Sequence, residues 1–248
     1  MFTTESGRRG EDGRACLVAR PPVAGVHTVP VPIELVIFDC DGVLVDSERL
    51  ANAVLAGLLT EAGLPTTTEE SIATYMGLSM PSCVALAEAR LGRPLPDDIL
   101  DRYHEQVFAA FDAELEAVPG VAEVVRTLRW PSCVASSGEH ERMRRTLGRT
   151  GLHPDFEGRI YSASEVERGK PHPDLFLHAA ERSGADPARC VVVEDSPFGV
   201  RGARAAGMVA LGYAAMTPAA VLEAEGAETF TAMAELPARL ERIDARLR

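Results

Sequence analysis

The stretch that decides the fold is ELVIFDCDGVLVDSE, Glu34 to Glu48, in which the apolar run LVIF breaks directly into two aspartates and then a glycine. Four consecutive apolar residues bounded by polar ones read as a short buried strand. Extended residues two apart point to the same side, so Asp39 and Asp41 face one cleft while Cys40 turns into the core. Gly42 lets the backbone leave the sheet sharply. Alone, such a pair of aspartates also fits an ordinary polar strand end.

Three further runs follow the same plan: CVAS (Cys133–Ser136), CVVV (Cys190–Val193) and VALGYA (Val209–Ala214), with helix-like segments between them. This alternation predicts an α/β fold, a Rossmann-like parallel sheet covered by helices on both faces. In such sheets ligands collect beyond the carboxyl ends of the strands. The residues there are Ser136 and Ser137 after the second run, and Glu194 and Asp195 after CVVV. Lys170 stands in RGKPHPDLF (Arg168–Phe176), in a loop stiffened by two prolines. Four carboxylates, one ammonium and a hydroxyl are thus expected to share one crevice.

Between the first and second runs lies a long helical interval. Leu50, Val54 and Leu58, with neighbours Leu55 and Leu59, form one apolar stripe, and helix-like stretches follow at Glu69–Tyr75, Pro81–Leu91 and Asp97–Glu114. Ser79 before Pro81 and Pro96 before Asp97 read as helix starts. The expected organisation is a flexible leader over 1–31, a catalytic core over 32–49 and 118–248, and an inserted helical cap over 50–117.

Of the 248 residues, 46% are hydrophobic and 25% charged, the composition of an ordinary globular chain. A formal net charge of -12 repels nucleic acid and anionic membrane surfaces, so neither is an expected partner. Five dispersed cysteines without a CxxC pair argue against zinc or disulfide frameworks and fit a reducing, cytoplasmic setting. The sequence holds no membrane-length apolar run.

Clustered carboxylates repel. At ~4 Å each pair costs about 4 kcal/mol at an effective dielectric of 20, and a phosphate dianion meeting an aspartate costs about twice that. A hard cation with oxygen ligands, Mg2+ above all, resolves both conflicts, with Lys170 assisting.

FDCDGVLVDSE, the Ser136 strand end, GKPHPD and VVVEDSPFGVRGARAAGM together resemble the four ordered motifs of the haloacid-dehalogenase-like hydrolases, in the subgroup with a helical cap after the first motif. The resemblance runs from about Leu35 to Tyr213. It implies a phosphatase that hydrolyses a small phosphate monoester through an aspartyl-phosphate intermediate. On that resemblance Asp39 is nucleophile and metal ligand. Asp41 is general acid and then base, with its backbone carbonyl on the metal. Ser136, Ser137 and Lys170 bind the phosphoryl group, and Glu194 and Asp195 complete the Mg2+ site.

Within the family, FDAELEAVPG, WPSCVASSG and ETFTAMAELP are similar to the 6-phosphogluconate phosphatases, which points to a sugar or sugar-acid phosphate, with other sugar phosphates and phosphoglycolate as alternative substrates. The β-phosphoglucomutase-like isomerases are the alternative reading, built on the same motifs. Those mutases carry a histidine where this chain has Ala51, which favours hydrolysis. A non-catalytic phospho-accepting module is a third reading, and the length and the second aspartate speak against it. Asp46, Ser47 and Glu48 read at least as well as a helix cap as substrate contacts. The loop YMGLS (Tyr75–Ser79) resembles the family's specificity loop, or else a helix end closed by Gly77. His172 reads as a loop-stabilising residue.

Overall fold

A computed structural model describes residues 32–76, 78 and 80–248; the expected leader, Gly77 and the helix start at Ser79 lie outside the described residues. The first strand, β1 (Leu35–Phe38), is buried along its whole length. Helices follow it before the next strand, beginning with α1 (Glu48–Glu61), α2 (Thr68–Tyr75), α3 (Met80–Leu91) and α4 (Ile99–Glu114). The chain then runs α5 (Val121–Thr127), β2 (Ser132–Ser136), α6 (His140–Arg149), α7 (His153–Phe156) and β3 (Ile160–Ser162). It ends with α8 (Asp174–Ser183), β4 (Cys190–Glu194), α9 (Pro197–Ala205), β5 (Val209–Tyr213), α10 (Ala219–Ala224), β6 (Glu228–Phe230) and α11 (Leu236–Leu247).

The six strands form one sheet in the order β3-β2-β1-β4-β5-β6, and every pairing is parallel. Alternation along the strands divides the core in two. Val36, Phe38, Val134, Val191 and Val193 face one side, where they join the buried residues of α1, α4, α6 and α11. Leu35, Ile37, Cys133, Cys190 and Val192 face the other, against Leu175 and Phe176 of α8 and Val200 of α9. Strands covered on both faces read as continuous apolar runs, which is why LVIF, CVAS and CVVV stand out.

The expected helices of the insert are all present, with α4 beginning at Ile99, two residues after the expected start at Asp97, and Asp98 as its cap residue. Leu58, Leu59, Tyr75, Ala87, Ile99, Val107 and Phe111 of the insert are buried in one cluster that continues into the sheet's first face. The outgoing and returning segments pair beside the sheet: Asp46 N donates to Glu116 O at 3.0 Å and Val118 N to Leu44 O at 3.0 Å. Cys40, Cys83, Cys133 and Cys190 are buried and free. No described helix is long and apolar enough to cross a membrane.

Candidate active site

The strand order reverses direction about β1: the chain steps outward through β2 and β3, then crosses to β4 on the other side. That reversal opens a crevice beyond the carboxyl ends of β1 and its neighbours. Asp39 follows β1, Ser136 ends β2, and Glu194 ends β4 with Asp195 next. The backbone of Asp39 is tied to the neighbouring strand, its N donating to Val193 O at 3.0 Å. A cavity of about 660 Å³ opens here, and its lining includes Asp39, Asp41, Ser136, Ser137, Lys170 and Asp195.

Lys170 is the electrostatic centre of the cluster. Its Nζ donates to Glu194 Oε1 at 2.6 Å and stands 2.8 Å from Asp39 Oδ1. The second approach lies off a hydrogen-bond direction, so Asp39 Oδ1 is buried without an aligned donor. Burial opposes the Lys170 charge, but Asp39 and Glu194 more than offset it and raise its pKa above the usual lysine range. Burial pushes Asp39 up to about 7, with the charges of Glu194 and Asp41 adding to it and Lys170 pulling down. Asp195 is displaced in the same direction, by burial first and then by Glu194 and Asp39.

Glu194 is fully buried and held at both oxygens. Besides Lys170 on Oε1, Ser196 N and Oγ donate to Oε2 at 2.8 and 2.9 Å. Ser196 in turn caps α9 by accepting from Gly199 N at 3.0 Å. Helix and strand approach so closely that a Cβ at Gly199 would lie 1.7 Å from Glu194 Oε1. A Cβ at Gly42, whose φ is +74°, would lie 2.0 Å from Asp195 Oδ2. These two glycines allow the motif-one turn and α9 to close on the acidic cluster.

Asp39, Glu194 and Asp195 each bring a carboxylate oxygen within 4.8 Å of the other two. With a buried Asp39 oxygen lacking an aligned donor, this all-oxygen set fits a hard divalent cation. The side chain of Asp41 is engaged elsewhere. Its Oδ1 accepts from Ser47 Oγ at 2.6 Å and from Arg142 Nη2 at 2.9 Å. Burial alone would raise the Asp41 pKa, but Arg142 and Ser47 outweigh it and hold the carboxyl below its ordinary range.

Ser136 is buried and its Oγ accepts from Gly138 N at 3.1 Å, while Ser137 is exposed at the cavity rim. His172 is exposed. Of the YMGLS loop, Met76 and Leu78 line the cavity.

Three residues were not assigned from sequence or were assigned elsewhere. Ser47 precedes α1 but makes no cap hydrogen bond, its hydroxyl going to Asp41 instead. Glu48 lines the cavity, with its carboxyl pushed up to about 7 by burial and then by the charge of Asp41. Arg142 was missed. The available signal was its place four residues before the buried Thr146 on α6, where the helical period puts a residue facing inward.

Carboxylates and a lysine gathered at the reversal point of an open parallel sheet are what an α/β hydrolase of phosphate esters requires, since phosphoryl transfer is chiefly positioning and charge neutralisation. The chain belongs to the haloacid dehalogenase-like hydrolases, whose family model matches residues 33–207. It is similar to the 6-phosphogluconate phosphatase of Escherichia coli, with 29% identity over 206 residues, 83% of this chain and 93% of that protein. Among solved structures it is similar to a haloacid dehalogenase-like protein of Agrobacterium tumefaciens, with a TM-score of 0.80 and 38% identity over 85% of this chain and 99% of that one. A HAD family hydrolase of Deinococcus radiodurans, with bound phosphate and sodium, gives a TM-score of 0.76 and 36% identity over 87% and 97%. The chain is a hydrolase of the phosphatase type.

Proposed function

We propose that the protein hydrolyses a sugar or sugar-acid phosphate in two steps, with Asp39 as nucleophile and Mg2+ as cofactor. The observation that carries this reading is the Asp39 carboxylate, buried beside Lys170 with an oxygen free of aligned donors. An Asp39 oxygen attacks phosphorus, the bond from phosphorus to the sugar oxygen breaks, and the protonated form of Asp41 delivers its proton to the departing alkoxide. Water then attacks the phospho-Asp39, Asp41 takes its proton, and inorganic phosphate leaves with Asp39 restored. Bound Mg2+ supplies charge neutralisation for the phosphoryl oxygens. Asp39, Asp195, Glu194 and the backbone carbonyl of Asp41 are the groups to hold it. Lys170 and the Ser136 hydroxyl bind the transferring phosphoryl group, and Ser137 meets it from the rim. Residues 50–117 act as the cap, closing over the core at residues 32–49 and 118–248 to exclude water from the leaving-group side. A cytoplasmic location accords with the four buried, free cysteines.

Hydrolysis is favoured over isomerisation by Ala51, which is buried in α1 and has no polar side-chain atom to offer a bisphosphorylated sugar. The test is phosphate release from a panel of sugar and sugar-acid phosphates with Mg2+, paired with acid-quench trapping of phosphoprotein. Turnover should be lost in Asp39→Asn and in chelator, and the wild type should trap a phosphoryl group that the variant does not. Undiminished turnover in excess chelator, or in Asp39→Asn, would refute this proposal.

A further inference from the structure

Three arginines on one face of α6 reach across to α4. Arg149 Nη2 donates to Ala113 O at 2.8 Å. Arg145 lies 4.9 Å from the centre of the Phe108 ring and pairs with Asp112. Arg142, at the deep end of the stripe, lies 5.3 Å from the centre of the Phe111 ring. Positions 142, 145 and 149 are three and four apart, the spacing of a single helical face. The first two contacts lie at the surface; the third enters the active-site cavity.

Arg142 meets Asp41 at one oxygen. Its Nη2 and the Ser47 hydroxyl both donate to Oδ1. Oδ2 receives neither and faces the loop beyond Ser136, about 3.8 Å from where a Cβ at Gly138 would stand. A carboxylate gripped at Oδ1 is held with Oδ2 toward Gly138, which lines the same cavity. The guanidinium itself has few other anchors: its Nε is buried without a hydrogen-bond partner, so Asp41 on one side and the Phe111 ring on the other fix its position.

We propose that Arg142 is the positioning residue for Asp41, and that its stacking on Phe111 makes the placement of Asp41 depend on where α4 lies. This rests on the acid role of Asp41 in the proposed function. Arg142 pairs with Asp41 and acts through it.

The test compares kcat/KM, which reports steps up to loss of the alcohol, for an alkyl sugar phosphate and for 4-nitrophenyl phosphate, whose leaving group needs no proton. Asp41→Asn should lose about 10²-fold or more on the alkyl ester and far less on the aryl ester. Arg142→Gln should lower the alkyl-to-aryl ratio about 10-fold or more, and should add nothing to the loss in an Asp41→Asn background. Phe111→Leu should move the ratio in the same direction by a smaller factor. Arg142→Lys, which keeps the charge but not the planar fork, gives the same reading if the glutamine variant does not fold.

An equal loss on both esters, or a further alkyl-selective loss in the double variant, would overturn the positioning role. An unchanged ratio in Phe111→Leu would overturn the link to α4. If Asp41→Asn itself showed no alkyl-selective loss, the acid assignment would fail, and this inference with it. A selective loss in Asp41→Asn without one in Arg142→Gln would leave that assignment standing and refute this inference alone.

Discussion

The metal-free site should become less stable as pH rises through neutrality, and Mg2+ should stabilise the protein more at pH 8 than at pH 5. Burial and the neighbouring carboxylates raise Asp39 from its ordinary 3.8 to about 7. A folded-state pKa above the unfolded one means that the stability contribution is full below about pH 4 and is lost as pH rises to about 7. Each pH unit across that window costs ~1.4 kcal/mol, so the fully ionised Asp39 destabilises the metal-free fold by ~4 kcal/mol. About 3 kcal/mol of this separates pH 8 from pH 5, and Asp195, raised for the same reason, adds to it. A cation held by ionised carboxylates reverses the penalty, in competition with protons. For a chain of this length ~3 kcal/mol corresponds to a Tm difference of about 6–12 °C. The assay is thermal unfolding with and without saturating Mg2+ across that pH range. Taking the difference at each pH removes every carboxylate remote from the site. A metal-induced rise in Tm that is independent of pH, or larger at pH 5, would refute the reasoning, and Asp195→Asn should flatten the dependence.

Lys170→Met leaves Asp39 and Glu194 buried without their cation, so the metal-free fold should lose ~3–5 kcal/mol in chemical denaturation at neutral pH and less in acid, where the carboxylates protonate. Its kcat should fall by at least ~10²-fold, and wild-type kcat and KM in this variant would remove Lys170 from the site. Gly199→Ala places a methyl 1.7 Å from Glu194 Oε1, which has no room to retreat. A loss of ~1–3 kcal/mol in stability is expected, together with reduced turnover because Glu194 carries Lys170. Normal denaturation and kcat would show that α9 can shift away at little cost.

The parallel core was legible in sequence wherever a strand is covered on both faces. β1, β2 and β4 are buried at every position, so each announces itself by an apolar run, LVIF, CVA and CVVV, although β2 and β4 end on Ser136 and Glu194. β3 and β6 were missed for the converse reason. Each is an edge strand of three residues, IYS and ETF, with one strand neighbour, and neither yields a run longer than chance. The glycines of GVRGARAAGM set how closely α9 packs against its neighbours. Gly199 allows α9 to approach the Glu194 strand end, whereas a Cβ at Gly202 would meet the backbone of His172 in the lysine loop and Phe176 of α8.

The site divides along a similar line. Asp39, Ser136, Glu194 and Asp195 stand at or just beyond strand ends, so the alternation that marks a strand also marks them, and Lys170 reaches them from a loop fixed by its prolines. Ser47 and Glu48 belong to a helix start, where local chemistry offers a competing explanation for each. A serine or glutamate at the head of a helix already has a reason to be there. Only the tertiary fold reveals that the Ser47 hydroxyl ignores its helix for Asp41, and that its backbone, at φ -86° and ψ -25°, lacks the extended conformation of a capping residue. Arg142 differs in kind. A cation on the inward face of an amphipathic helix has no local justification, because a buried charge requires a partner. Its sequence position therefore demanded an acid from elsewhere in the fold, and the acid it meets is the second aspartate of the stretch that defines the fold.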